Sequence, residues 1–287
     1  MSNAPGYRQV WSYSLYGDNH EMYFRPLLEV IPLANRLGAR VVINTPRSCC
    51  VAVKQYFHDY LDDFTVLVYE GPIAEASPKI LRFLVPFRVA SEFYFYKDSD
   101  SLVGTKELEV MAHWINSPDA SSMIIRDHPQ HVTPILAGMF GLARQEAFVV
   151  AESARDYFTK NRVGLNNYSY DQDWLMDQVY PSVRLSSQVY SSYFFYAEER
   201  VFRISRSRTG HTHIGAQCLQ SIAATSYCRW CDSIYDDRML CVPFIGMINR
   251  LFPRMIYGRV RPSLILAYLY SRVLRISNIN RSVVISE

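Results

Sequence analysis

Phe93-Tyr94-Phe95-Tyr96-Lys97-Asp98-Ser99-Asp100 runs four aromatic residues into two aspartates across a single lysine. Taken from Arg88 to Lys97, the segment reads as a buried strand, and the acidic pair marks its exit from a sheet. In extended chain, residues i and i+2 point to one side. Asp98 and Asp100 therefore face one place at the carboxyl edge, where open α/β sheets bind ligands. Two hard oxygen ligands suit Mg2+ or Mn2+ and leave positions open for a diphosphate. The plain alternative is a solvated turn, but acidic pairs are rarely needed to end a buried strand.

Working outward, strands and helices alternate. Val10 to Leu15 alternates as a strand does and turns at Gly17-Asp18-Asn19; Phe24 to Leu37 has helical spacing, with a kink expected at Pro32 and a stop at Gly38. Arg40 to Asn44 is a short strand, Val51 to Tyr60 a helix and Thr65 to Tyr69 a third strand. Beyond the aspartates the pattern predicts a helix over Lys106–Asn116, a strand over Ser122–Ile125, and an apolar segment from Pro134 to Leu142. Helices over Gln145–Thr159 and Asp171–Val179 follow, then strands at Val189–Phe195 and Val201–Ile204. Such alternation predicts an α/β fold with a mostly parallel central sheet flanked by helices. From Leu240 the character changes, and Pro243, Pro253 and Pro262 divide the rest into two or three short amphipathic helices. The expected organisation is a catalytic domain over residues 1–240 and a basic tail over 241–287.

Other segments carry polar chemistry. Arg126-Asp127-His128 leaves a strand; an arginine can fork onto phosphate, and a carboxylate can take a proton. Gly138 and Gly141 would let a ligand lie against backbone, although taken alone ordinary core packing explains them better. Asp171 suits a helix N-cap, and with Gln172 could face a cleft above the sheet. His211 and His213 precede Gly215 and are candidate metal ligands.

Composition narrows the class. Of 287 residues 49% are hydrophobic and 20% charged, enough for a real core and against disorder. A net charge of +3 gives no reason to expect nucleic acid. Arg238 to Ser286, however, holds eight arginines and no acidic residue, which points to an anionic surface met by the tail. The first twenty residues have no basic start followed by an apolar run. No stretch reaches the roughly 20 apolar residues of a membrane span. The expectation is a cytoplasmic protein whose tail reaches the membrane face. Cys49 and Cys50 are adjacent and cannot easily bond to each other, and of the other four cysteines only Cys228 and Cys231 are close, so thiols are expected rather than structural zinc.

In order, the strand-then-Asp-Ser-Asp, Ala-Gly-Met-Phe-Gly141, Asp171-Gln-Asp173 and the late His/Gly motif resemble the glycogenin and lipopolysaccharide galactosyltransferase group. Ser12-Tyr-Ser-Leu-Tyr-Gly17, Lys97-Asp-Ser-Asp-Ser101, Arg126-Asp-His-Pro-Gln-His131, Pro134 to Gly141 and Asp171 to Pro181 resemble predicted glycosyltransferases of bacterial surface-polysaccharide clusters more closely still. The resemblance covers Ser12 to about Gln217. It implies a Rossmann-like, A-type glycosyltransferase fold, a nucleotide-sugar donor with UDP-sugar favoured, Mn2+ or Mg2+, and a glycan or lipid-linked acceptor.

Residue by residue, it implies that Asp98 contacts ribose or metal and that Asp100 ligates metal, with Ser99 between them at the nucleotide. Ser14, Leu15, Tyr16 and Gly17 would lie near the base, and Gly138 with Asp171 to Asp173 would border the donor sugar. Arg126 would add positive charge at the leaving phosphate. The late histidine would complete the metal site, but the family position holds Thr212 here; His213 is preferred over His211. The lysine-proline-tryptophan that usually follows is missing. If configuration inverts, Asp127 is the candidate base; if it is retained, the favoured outcome, Asp171 or Gln172 would stabilise the positive sugar. Two rival readings stand beside it: another metal-dependent nucleotide enzyme (nucleotidyltransferase or phosphohydrolase) using the same carboxylates, and a non-catalytic membrane-binding module, which loss of the two aspartates would support.

Overall fold

The computed structural model describes residues 7–117, 119–128, 131, 133–161, 170–196, 199–205, 214–215 and 240–242. The chain begins with β1 (Tyr7–Ser14), a short α1 (His20–Tyr23) and α2 (Arg25–Arg36), which runs through Pro32 to end near Gly38 at φ 69°. Next come β2 (Ala39–Pro46), α3 (Cys50–Tyr56), β3 (Phe64–Tyr69), α4 (Pro72–Ala76) and a 3-10 helix over Pro78–Phe87. The aromatic strand is β4 (Ser91–Lys97), followed by α5 (Thr105–Ile115), β5 (Ser122–Arg126), β6 (Met139–Ala143) and α6 (Arg144–Asn161). α7 (Tyr170–Trp174) continues through one π turn into α8 (Tyr180–Val183). β7 (Ser187–Ser191), β8 (Phe194–Tyr196), β9 (Arg200–Arg203) and β10 (Leu240–Val242) close the described chain.

Eight strands form one sheet in the order β3-β2-β1-β4-β6-β5-β7-β9, and every pairing is parallel except the two made by β6. The fold is the expected α/β class with a mostly parallel, Rossmann-like sheet flanked by helices. Strands rich in Val, Ile, Tyr and Phe and covered on both faces are what a buried parallel sheet requires. Side-chain alternation divides them between two cores. Trp11, Tyr13, Val41, Ile43, Phe95 and Ile125 pack with α2 and α5 on one face; Val10, Val42, Tyr94, Tyr96, Ile124 and Phe140 pack with the 3-10 helix, α6 and α7 on the other.

The order places a topological switch between β1 and β4, because β2 and β3 extend from one side of β1 while β4 adds on the other. The carboxyl ends of β1 and β4 thus open onto a single crevice. β6 runs the opposite way, so its first residue, Met139, pairs with Lys97 at the same rim. β10 pairs with β8 in a separate two-stranded sheet. The tail beyond, expected to be helical, lies outside the described residues.

Candidate active site

At the end of β4, Lys97 points inward and is buried, its ammonium paired with Glu107 of α5. Burial pulls this lysine down to about 7, against the attraction of Asp98. The next residue turns outward: Asp98 has a side chain 50% exposed, Ser99 is buried and Asp100 is partly exposed. Ser101 closes the turn by donating its hydroxyl to the Asp98 carbonyl at 3.1 Å. Tyr23 of α1 senses both carboxylates; its phenol is raised first by burial, then by Asp100 and Asp98. The two aspartates thus stand near one phenol at the rim, brought there by the turn that follows β4 at Lys97 and not by strand alternation.

Arg82, on the 3-10 helix, is the residue that organises this space. Its side chain is only 5% exposed, and Nη1 pairs with Asp98 Oδ1 while Nη2 donates to Asp171 Oδ2 at 3.1 Å. Nη1 also donates to the Lys97 carbonyl at 3.0 Å. Ser14 accepts from the Arg82 amide and donates to the Lys79 carbonyl, both at 2.9 Å, while Ser12 donates to the Arg82 carbonyl at 2.8 Å. The helix carrying Arg82 is thus fastened to the end of β1. Sequence reasoning missed this arginine. Its signal was a lone charge inside the apolar run Ile80-Leu81-Arg82-Phe83-Leu84-Val85, since an arginine is seldom buried unless paired.

Asp171 and Gln172 reach the same rim from α7. Asp171 lies inside the first turn instead of capping it, and burial pushes its carboxyl up against the pull of Arg82 and Lys79. Gln172 donates to the Ile135 carbonyl and accepts from the Ala137 amide at 3.3 Å, so its amide is engaged by the segment that leads into β6. That segment ends at Gly138, which the Asp98 carboxylate touches. A β-carbon there would overlap Asp98 and come within 2.9 Å of its backbone nitrogen. The open side of Gly138, expected to receive a ligand, receives Asp98.

Four of the expected site residues have their side chains engaged within the fold. Leu15 is fully buried in the core and Ser14 commits its hydroxyl to backbone, so only Tyr16, half-buried, and Gly17, exposed at φ 77°, face outward at the end of β1. Arg126, expected to fork onto phosphate, is fully buried and forks onto Glu199 at 2.8 and 2.5 Å. It also donates Nε to the Pro134 carbonyl at 2.9 Å and lies over the Tyr196 ring at 4.7 Å. Asp127, the candidate base, is buried with both oxygens taken: Oδ2 accepts from Lys106 at 2.9 Å and from the Ile214 amide at 3.0 Å, and Oδ1 from Ser192. It acts as a pin between β5 and the chain near Gly215, and a base needs a free lone pair within reach of substrate.

His211 and His213 lie outside the described residues, as do Cys228 and Cys231. Ile214 and Gly215 are described. Gly215, at φ 80°, packs against Met139, where a β-carbon would stand 2.7 Å from the sulfur. Asp98, Gly138, Met139 and Gly215 thus form one line of contacts. Among the described residues no three acidic, histidine or cysteine side chains come together as a complete cation cage. The Asp98 and Asp100 oxygens still fit Mg2+ or Mn2+, because such ions are commonly held by one or two carboxylates and complete their shell with phosphate and water.

No family model matches the chain, and no curated protein matches it. Among solved structures it is similar to a mannosyltransferase from Pyrobaculum calidifontis in complex with GDP-Man and Mn2+, at 13% identity and a TM-score of 0.38 over 50% of this chain. That match spans 47% of the mannosyltransferase, about half its length. It is also similar to a glycosyltransferase involved in the glycosylation of the major capsid of PBCV-1, at 14% identity and a TM-score of 0.39 over 66% of this chain and 83% of that one. A third is the 4-diphosphocytidyl-2C-methyl-D-erythritol synthase of Anaerococcus prevotii, at 6% identity and a TM-score of 0.42 over 79% and 99%.

Proposed function

We propose that the chain is a metal-dependent glycosyltransferase that moves a sugar from a nucleotide diphosphate, a UDP-sugar first, to a glycan or lipid-linked acceptor in surface polysaccharide synthesis. One observation carries the reading: an outward-facing carboxylate pair, Asp98 and Asp100, stands over the β1/β4 switch beside the buried Arg82–Asp171 pair. Asp98 and Asp100 would hold Mn2+ or Mg2+, which when bound supplies Lewis-acid stabilisation to a departing diphosphate. Ser99 would lie at the nucleotide, and Tyr16 and Gly17 would border the base from the end of β1. Gly138, Asp171 and Gln172 stand on the sugar side; Gln172 sets the position of the loop and Asp171 supplies the negative charge. Retention of configuration is the favoured course in this reading. Asp171 is joined to Asp98 through Arg82 and accepts from the Gln172 amide on its other oxygen, whereas Asp127 pairs with Lys106, Ser192 and the Ile214 amide. His213 remains the proposed third ligand, supported by the line of contacts from Gly215 to Asp98.

The test is calorimetry of UDP and GDP with Mn2+ and after chelation, followed by a nucleotide-sugar panel scored for slow hydrolysis. Binding should tighten with metal in the wild type and lose that gain in Asp100→Asn, while the melting temperature stays close to wild type. Equal affinity after chelation would remove the metal from the proposal. Phosphate release from many nucleotides, with no preference for a nucleotide sugar, would favour a phosphohydrolase.

A further inference from the structure

We infer that Arg82 couples the cation to the nucleotide: its guanidinium holds Asp98 out of metal-binding use until an anionic diphosphate arrives to take the arginine's charge. The inference rests on the carboxylate-pair reading above and adds an order of events to it. One oxygen of Asp98 is already committed, although the side chain is 50% exposed. Oδ1 is paired with Arg82, and Oδ2 is packed against Gly138. Arg82 in turn is buried and shared with a second carboxylate, Asp171, itself buried. A cation arriving alone must compete with this guanidinium for Asp98 and then sit beside its positive charge in a site partly screened from water. A diphosphate changes the balance, because it brings negative charge to both cations and suits the planar donor fork of an arginine. The seat of Arg82 is itself incomplete: Nε–H is buried with no hydrogen-bond partner among the described residues. A guanidinium with an unmet donor has a reason to turn toward an anion. By thermodynamic reciprocity the nucleotide must then tighten metal binding by the same factor by which metal tightens nucleotide binding.

The experiment titrates Mn2+ by electron paramagnetic resonance, without nucleotide and with saturating UDP or GDP, so that binding is read without catalysis. Wild-type protein should bind Mn2+ weakly alone and about tenfold or more tighter with diphosphate, within the usual range of such couplings. Arg82→Met alone would strand the buried Asp171, so it is combined with Asp171→Asn to leave the net charge of the site unchanged. The double variant should bind Mn2+ alone about tenfold tighter than wild type, and the coupling factor should shrink accordingly. Arg82→Lys keeps a cation beside Asp171 but lacks the fork, and should fall between the two. A folded Arg82→Lys and a folded double variant that both keep wild-type affinity for Mn2+ alone overturn the inference and leave the metal site standing. Wild-type protein that binds no Mn2+ even with diphosphate overturns both.

Discussion

Gly138 and Asp98 face each other so closely that one methyl group decides whether both can keep their places. In Gly138→Ala the new carbon would meet the Asp98 carboxylate and, behind it, the Asp98 amide nitrogen at 2.9 Å, so rotating a side chain cannot relieve the clash. Overpacking of this kind costs about 1–3 kcal/mol, and here the strain falls on the turn proposed to hold the metal. The expected result is a modest fall in melting temperature with a loss of Mn2+-dependent nucleotide binding of about tenfold, equivalent to 1.4 kcal/mol. Unchanged binding would separate the glycine from the site. Asp127 offers the opposite test. Its pairing with Lys106 and its acceptance from the Ile214 amide make it a pin, so Asp127→Ala should destabilise the fold by about 3 kcal/mol, the scale of a broken buried pair. A catalytic base would behave otherwise, with melting preserved and turnover lost. Arg82 shows why residue roles were only partly legible in the sequence. A lone arginine in an apolar run signals a buried partner, but which carboxylates it meets is decided by β4 and α7, 16 and 89 residues away.

At the scale of elements, the strands before Asp98 could be read because alternation and apolar runs are local signals, and β1 to β4 stand where the pattern puts them. Direction is not local. Met139–Ala143 reads as an apolar segment from either end, and only its pairing shows that β6 runs against its neighbours. The 3-10 helix over Pro78–Phe87 went unread because prolines at Pro78 and Pro86 obscure any helical period. The predicted helix Asp171–Val179 is helical throughout, α7 continuing through a π turn into α8, with Asp171 in its first turn. The packing of α5 on β7 makes a testable pH dependence. His113 meets the Tyr190 hydroxyl at 2.6 Å and the Phe202 ring at 5.0 Å, and its pKa is lowered from 6.5 by burial and then by Arg200. A histidine with a lowered native pKa binds fewer protons folded than unfolded, so its stabilising effect is present above pH 6.5 and is lost as pH falls below it. Melting temperature measured across that range should drop less steeply in His113→Gln than in wild type. Parallel curves would assign the acid sensitivity elsewhere.

For the whole molecule, the sheet-bearing part and the arginine-rich stretch beyond it pose separate questions. No described helix is long and apolar enough to cross a membrane. The proposal for residues 243–287, which lie outside the described residues, is docking on an anionic membrane face, each basic residue contributing about 1 kcal/mol near such a surface. Full-length protein should sediment with anionic liposomes at low salt and stay in solution with neutral ones, and deletion from Leu251 to Glu287 should abolish sedimentation. Retention of vesicle binding after that deletion would locate the contact on the sheet-bearing part. The reversed strand β6 has a separate implication for how such a molecule diversifies. Because β5 ends and β6 begins at the same rim, the connection over residues 127–138 leaves the sheet and returns to it on one side, held by the Arg126 donation to the Pro134 carbonyl. An insertion between the Asp127 pin and Gly138 would lengthen this connection without re-registering a strand, so its length could change while Gly138 and the carboxylate pair stayed fixed.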